Sequence, residues 1–205
     1  MEPNTANNQR NRASFLTNTF LTNIIEWVKV IIIALIIALP IRMFIAEPFI
    51  VDGASMDPSF ATNQFLIVDR LSYRFENPNR GDVIVFRYPN NPDTYYIKRI
   101  IGLPEEVVNI KNGVVSISKQ TENGISASST ITLKEPYVKD NHRSYEDFNA
   151  VLSSGQYFVM GDNRTESSDS RVWGPLERKL IVGRPIFRLF PLTKLSFYPG
   201  EYTEK

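Results

Sequence analysis

Cysteine is absent from all 205 residues, so disulfides, thiolate zinc sites and cysteine nucleophiles are excluded together. That composition suits an exported domain. Histidine occurs once, at His142, which rules out a histidine-rich metal site and leaves histidine-based catalysis a single candidate. An excess of charge of one sign is lacking too: 23 basic and 22 acidic residues give a formal charge of +1. No tract dense in lysine and arginine is present to follow a phosphate backbone, so nucleic acid is not an expected partner. No metal or cofactor is expected either. The loop at residues 160–174 is rich in charge, but Asp162, Arg164 and Glu166 do not alternate oxygen ligands as a calcium loop requires.

One long apolar segment is present, from Phe20 to Ala46. Its charge-free centre, Val30 to Ile41, is shorter than the ~20 residues a membrane span needs. Three readings follow: the apolar core of a cleaved signal peptide, a buried helix, or a span whose ends include charged residues. A cleaved peptide calls for small residues two apart beyond the core, and Ala34, Ala38 and Ala46 are not so spaced. The spanning reading fits best. Glu26 and Lys29 are three apart and can pair, Lys29 and Arg42 can reach the interfaces, and Trp27 suits one. Arg10 and Arg12 precede the segment while Glu47, Asp52 and Asp57 follow it, which places the N-terminus in the cytoplasm and everything after residue 46 outside. Residues 1–19, polar and rich in Asn and Thr, read as a disordered cytoplasmic tail.

Beyond the anchor, short apolar runs alternate with turn signals, the pattern of a β-rich domain. Candidate strands are 65–70, 82–88, 95–101, 107–110, 114–118, 156–160, 181–190 and 195–198. Asn112-Gly113 between two of them is a hairpin signal, because both residues tolerate positive φ. The stretch 119–154, rich in Ser and Thr and then in charge, reads as an inserted lobe that adds little to the core formed by 47–118 and 155–205.

Three stretches carry candidate chemistry. The first is GASMDP, residues 53–58, where Ser55 is either an ordinary turn residue or a nucleophile. The second is YYIKRII, residues 95–101, in which alternation puts Tyr96, Lys98 and Ile100 on one strand face. Lys98 is either an edge-strand lysine that discourages aggregation or a general base. The second role requires a pKa near 7, a differential of about 4 kcal/mol that desolvation or a nearby cation must supply. The third is MGDNRTESSDSRVWG, residues 160–174, in which Arg164 and Arg171 can pair with Asp162 and Asp169, and the serines can orient an amine.

Taken in order, GASMDP (53–58), RGDVIVF (80–86), YYIKRIIGLP (95–104) and GDNRTESSDSR (161–171), behind an N-terminal anchor, resemble the sequence boxes of bacterial type I signal peptidases. The resemblance covers roughly residues 47–190, with 119–154 matching only at EPY (135–137). It implies a mostly β fold, with a single transmembrane helix, an antiparallel catalytic domain and a small variable lobe. It also implies a serine endopeptidase of the plasma membrane that cuts preprotein signal peptides after small-x-small sites. Ser55 matches the nucleophile and oxyanion N–H, Lys98 the general base, Ser167 the serine that bonds the lysine, and Asp169 with Arg171 the supporting pair. Phe49, Val51, Met56, Phe60, Tyr96 and Ile97 are the candidate walls of the substrate site, and membrane lipid is an expected partner. Gly53 stands where many family members carry a serine that helps bind the oxyanion. Glu105-Glu106 and Thr165-Glu166 also depart from the family pattern, which leaves the geometry of both turns open. Three other readings compete: a Ser–His–Asp hydrolase using His142 with Asp140 or Asp147, a self-cleaving repressor-like protease that also uses serine and lysine but that a membrane anchor does not suit, and an anchored β-domain that binds cell-surface material.

Overall fold

The computed structural model describes residues 5–40, 45–121, 124–125 and 130–202. Two compact units make up the chain, divided between Ile45 and Ala46.

The first unit holds one helix, α1 (Thr5–Pro40). No proline or glycine interrupts the sequence from Thr5 to Leu39, so nothing local stops the helix from beginning ahead of the apolar segment. It therefore includes residues 5–19, where a disordered tail is expected; Met1–Asn4 of that stretch lie outside the described residues. Asn23–Pro40 is apolar enough to cross a membrane, and its side chains are exposed. At 1.5 Å per residue these 18 residues rise about 27 Å, close to the hydrocarbon thickness of a bilayer. The expected pair forms, with Lys29 Nζ donating to Glu26 Oε1 at 2.9 Å. Arg42 lies outside the described residues.

The second unit is built from antiparallel strands. In chain order these are β1 (Ala46–Ile50), β2 (Phe65–Asp69), the short helix α2 (Ser72–Phe75), β3 (Val83–Tyr88), β4 (Asn91–Gly102), β5 (Glu106–Lys111), β6 (Val114–Thr121), β7 (Gly124–Ile125), β8 (Ile131–Thr132), β9 (Phe148–Val151), β10 (Gln156–Met160), the single turn α3 (Ser170–Trp173), β11 (Leu176–Glu177), β12 (Ile181–Phe190) and β13 (Ser196–Phe197). Among the described residues, one sheet runs β1-β2-β12-β3-β4-β10-β11 with β13 on β12, and a second runs β7-β6-β5-β9 with β8 on β6.

Strand β3 reads VIVF at its start, and all four side chains are buried, as expected of a β-branched and aromatic run covered on both faces. Ile84 and Phe86 join Ile100, Tyr157 and Val159 in one cluster, while Val83 packs with Met56, Phe60 and Leu66 in another. The β5–β6 hairpin forms at Asn112-Gly113, with φ of 49° and 76° and Lys111 opposite Val114.

The second sheet begins at Glu106, ahead of the expected boundary at Lys119, and β5 and β6 belong to it. The reason lies in their inward side chains. Val108, Ile110, Val115 and Ile117 form a single cluster with Ile101, Phe158 and Met160 of the larger sheet, so the hairpin that bears them folds as part of the second layer. Strand β9, inside the expected insertion, pairs with β5 and places Leu152 just after it in the same cluster.

Candidate active site

Ser55 stands in the turn that follows β1. The chain leaves the sheet at Val51, whose N–H donates to Gln64 O at 2.9 Å, and Asn63 N donates back to Val51 O at 2.8 Å, closing a loop. Inside this loop Asp57 N bonds Ala54 O at 3.0 Å and Phe60 N bonds Met56 O at 2.9 Å. Met56 and Phe60 point downward and are almost wholly buried, which holds the turn against the sheet and leaves Ser55 on its upper side. The Ser55 N–H has no hydrogen-bond partner among the described residues, so it remains a free donor beside its own hydroxyl.

Lys98 lies in β4 opposite Ile84 of β3. Its amine donates to Ser55 Oγ at 2.8 Å and to Ile97 O at 3.0 Å, although Ser55 and Lys98 are 43 residues apart in the chain. The side chain is only 4% exposed and runs past the Tyr96 ring, 5.2 Å from its centroid. Loss of hydration pulls the Lys98 pKa down from 10.5 to about 8, against the opposing pull of the Asp169 and Asp162 carboxylates. At pH 7 roughly one such amine in ten is neutral, against fewer than one in ~10³ for a hydrated lysine.

The loop after β10 braces the turn. Asn163 N donates to Ser55 O at 3.0 Å. A Cβ on Gly161 would lie 2.3 Å from Ser55 O and 2.3 Å from Ser167 Oγ, so only glycine lets the backbones approach this closely. Asp169 accepts from Gly161 N at 3.1 Å and from Arg171 Nε at 2.8 Å, and Arg171 Nη2 bonds Arg164 O at 2.7 Å. The Asp169–Arg171 pair expected from the sequence is therefore present. Asp162 and Arg164, by contrast, do not pair with each other. Asp162 takes a two-pronged contact from Arg99, Nε at 2.8 Å and Nη2 at 2.7 Å, and Arg164 pairs with Glu135. Both arrangements put each guanidinium in reach of two carboxylate oxygens, as the Asp169–Arg171 pair also does.

Ser167 Oγ is buried beside Gly161 and bonds no group among the described residues, so the expected bond to Lys98 is not formed. The amine directs its hydrogen bonds to Ser55 and Ile97 instead. His142 serves Asp57, with Nδ1 3.3 Å from Asp57 O and Nε2 3.6 Å from its carboxylate. Asp140 pairs with Arg143, and Asp147 accepts from Asn112 N, so neither completes a triad with His142.

A cleft of about 380 Å³ opens beside Ser55 and Lys98. Phe49, Val51, Tyr96 and Ile97 line it, as expected, and the Phe49 and Tyr95 rings meet edge to face at 5.2 Å. Met56 and Phe60 do not line it, because the loop needs both as anchors in the core beneath. Strand β10 pairs with β4 only from Arg99 onward, so the Tyr95–Lys98 edge has no strand neighbour on that side among the described residues.

A family model described as "Signal peptidase, peptidase S26" matches residues 24–190, most of the chain and all of this site. The chain belongs to that signal peptidase family. Among its relatives, a probable signal peptidase I-1 of Synechocystis sp. is 35% identical over 82% of this chain and 84% of its own length. The signal peptidase I of Bacillus licheniformis is 36% identical over 84% of this chain and 92% of its own. Signal peptidase I P of Bacillus subtilis subsp. natto is 37% identical over 85% and 92%.

Within this signal peptidase, several site residues escape sequence reasoning. Leu66, Val85, Glu166 and Ser168 also line the cleft. Strand alternation does put Leu66 on a defined face, but nothing local reports that the sheet curls to bring β1 opposite β4. The buried Arg99 on the strand of Lys98 was the available signal, since a charge amid YYI and II needs a partner.

The departure at Glu105 also resolves. Its φ is 65°, the left-handed conformation that glycine adopts freely, and Glu106 turns inward to bond Leu103 N at 2.7 Å and Arg80 Nη2 at 2.6 Å.

Proposed function

We propose that this chain is a membrane-anchored serine endopeptidase that removes N-terminal signal peptides from exported preproteins after small-x-small sites. The observation that supports it most is the bond from a desolvated Lys98 amine to Ser55 Oγ at the edge of an apolar cleft.

In this reading neutral Lys98 accepts the Ser55 Oγ proton as Oγ attacks the scissile carbonyl. The resulting ammonium protonates the leaving amine, and water then resolves the acyl-enzyme. The Ser55 N–H stabilises the oxyanion, a kind of interaction worth about 3–4 kcal/mol. An ammonium has three donors, two of which already have Ser55 and Ile97 as acceptors, so the Ser167 hydroxyl is available to the third. Asp169 and Arg171 hold the loop and do not touch the reacting atoms. Substrate lies extended along the unpaired Tyr95–Lys98 edge, and its small side chains enter the space between Phe49, Val51, Tyr96 and Ile97. Residues 1–19 lie in the cytoplasm and residues from 47 onward outside, following the bias of Arg10 and Arg12 against Glu47, Asp52 and Asp57. The shared membrane surface raises the effective substrate concentration, so shallow contacts suffice.

The test compares purified full-length protein with Ser55→Ala, Lys98→Ala and His142→Ala variants on a synthetic preprotein. Cleavage lost in the first two and kept within a few-fold in the third supports the dyad. Near-complete loss in His142→Ala would revive the triad, and equal cleavage by Ser55→Ala and parent would favour a binding module.

A further inference from the structure

Away from the cleft, a second groove of about 500 Å³ is bordered by Arg70, Arg74, Arg87, Arg178 and Lys179, with Tyr73 in its floor. Five cations in a chain of formal charge +1 is a strong local concentration, and no carboxylate lines the groove. From outside the groove, Glu47 pairs with Arg70 at 3.1 Å and Glu177 with Lys179 at 2.5 Å. Arg178 donates to the main-chain carbonyls of Tyr73 and Glu76 and sits 5.7 Å from the Tyr73 ring centroid, which fixes it in place while leaving its charge unneutralised by those contacts.

We propose that this groove binds the phosphodiester headgroup of an anionic phospholipid. Guanidinium forks suit phosphate oxygens, and several of them round one concave surface favour a doubly ligated anion over dispersed counterions. Two further observations favour a lipid over a soluble anion. Phe75, the residue after Arg74 on α2, is 82% exposed, an unburied apolar ring on the short helix that supplies Tyr73 and Arg74 to the groove. Arg70 is paired with Glu47, which follows the apolar helix in the sequence by seven residues. The inference does not depend on the peptidase assignment.

The test is native mass spectrometry of the full chain in neutral detergent, titrated with phosphatidylglycerol or with phosphatidylcholine of the same acyl length. The parent is expected to retain phosphatidylglycerol selectively. A cation near an anionic lipid contributes about fivefold, so the triple variant Arg74→Gln, Arg87→Gln, Lys179→Gln weakens that binding roughly 100-fold. Unchanged circular dichroism and an unchanged thermal midpoint show that the variant is folded. Equal retention of the two lipids, or a triple variant that binds like the parent, overturns the proposal. Inorganic phosphate added as a competitor separates the sources: displacement only at great excess supports the headgroup, and displacement at concentrations equal to the lipid's overturns it in favour of a free-phosphate site.

Discussion

The main-chain N–H of Asn163 donates to the carbonyl of Ser55 at 3.0 Å, tying the loop after β10 to the turn that carries the hydroxyl. Gly161 makes that approach possible, since a side chain there meets Ser55 O and Ser167 Oγ at 2.3 Å. Gly161→Ala is therefore expected to push the turn away from Lys98. A displacement near 1 Å costs about 100-fold in turnover. Steady-state kinetics on a peptide substrate should show the loss mainly in kcat, and parental kcat would mean that the contact is not needed.

Beneath the site, Arg99 and Asp162 form a pair whose side chains are 1% and 0% exposed. Removing one partner leaves a buried charge unbalanced. Asp162→Ala should lower stability by about 3–5 kcal/mol, whereas Arg99→Met with Asp162→Leu should recover much of it. Urea unfolding of the three proteins checks this, and equal stability of the single and double variants contradicts it.

Glu105 occupies a left-handed conformation at φ 65° that costs a non-glycine residue about 1 kcal/mol. Glu105→Gly removes that cost and gives back part of it as flexibility of the unfolded chain. A thermal midpoint slightly above the parent's is expected, and a clear fall would mean that the Glu105 side chain stabilises the turn.

Lys98 should be a liability for stability. Its folded pKa, about 8, lies below the unfolded value near 10.5, so between these values the unfolded chain holds the additional proton and stability rises with pH. The difference corresponds to about 3 kcal/mol at pH 7. Lys98→Met, similar in length and apolar, should be more stable than the parent by that order at pH 7, with the advantage shrinking from pH 8 to 10.5. Chemical denaturation at several pH values measures it, and an advantage that does not change with pH rejects the argument.

Much of this was legible in the chain. Strands such as 156–160 and 181–190 appear with the expected bounds, because aromatic and aliphatic runs between turn residues report on themselves locally. Ser55 and Lys98 were legible through the resemblance of their boxes, not through local physics. What was hidden depends on residues distant in sequence. Asp162 prefers Arg99 to its neighbour Arg164, Arg164 is claimed by Glu135, and Met56 faces the core instead of the cleft; each outcome is decided by packing between elements. The cationic groove likewise draws on residues 70, 73, 74, 87 and 178–182, so no short window of sequence contains it.

The catalytic account stands on the protonation of one amine. Observing the Lys98 side-chain carbon next to Nζ by NMR, in a Ser55→Ala protein to prevent self-cleavage, follows that protonation directly as pH is varied. A midpoint near 8 is the predicted result. A midpoint near 10.5, that of a hydrated lysine, would contradict it.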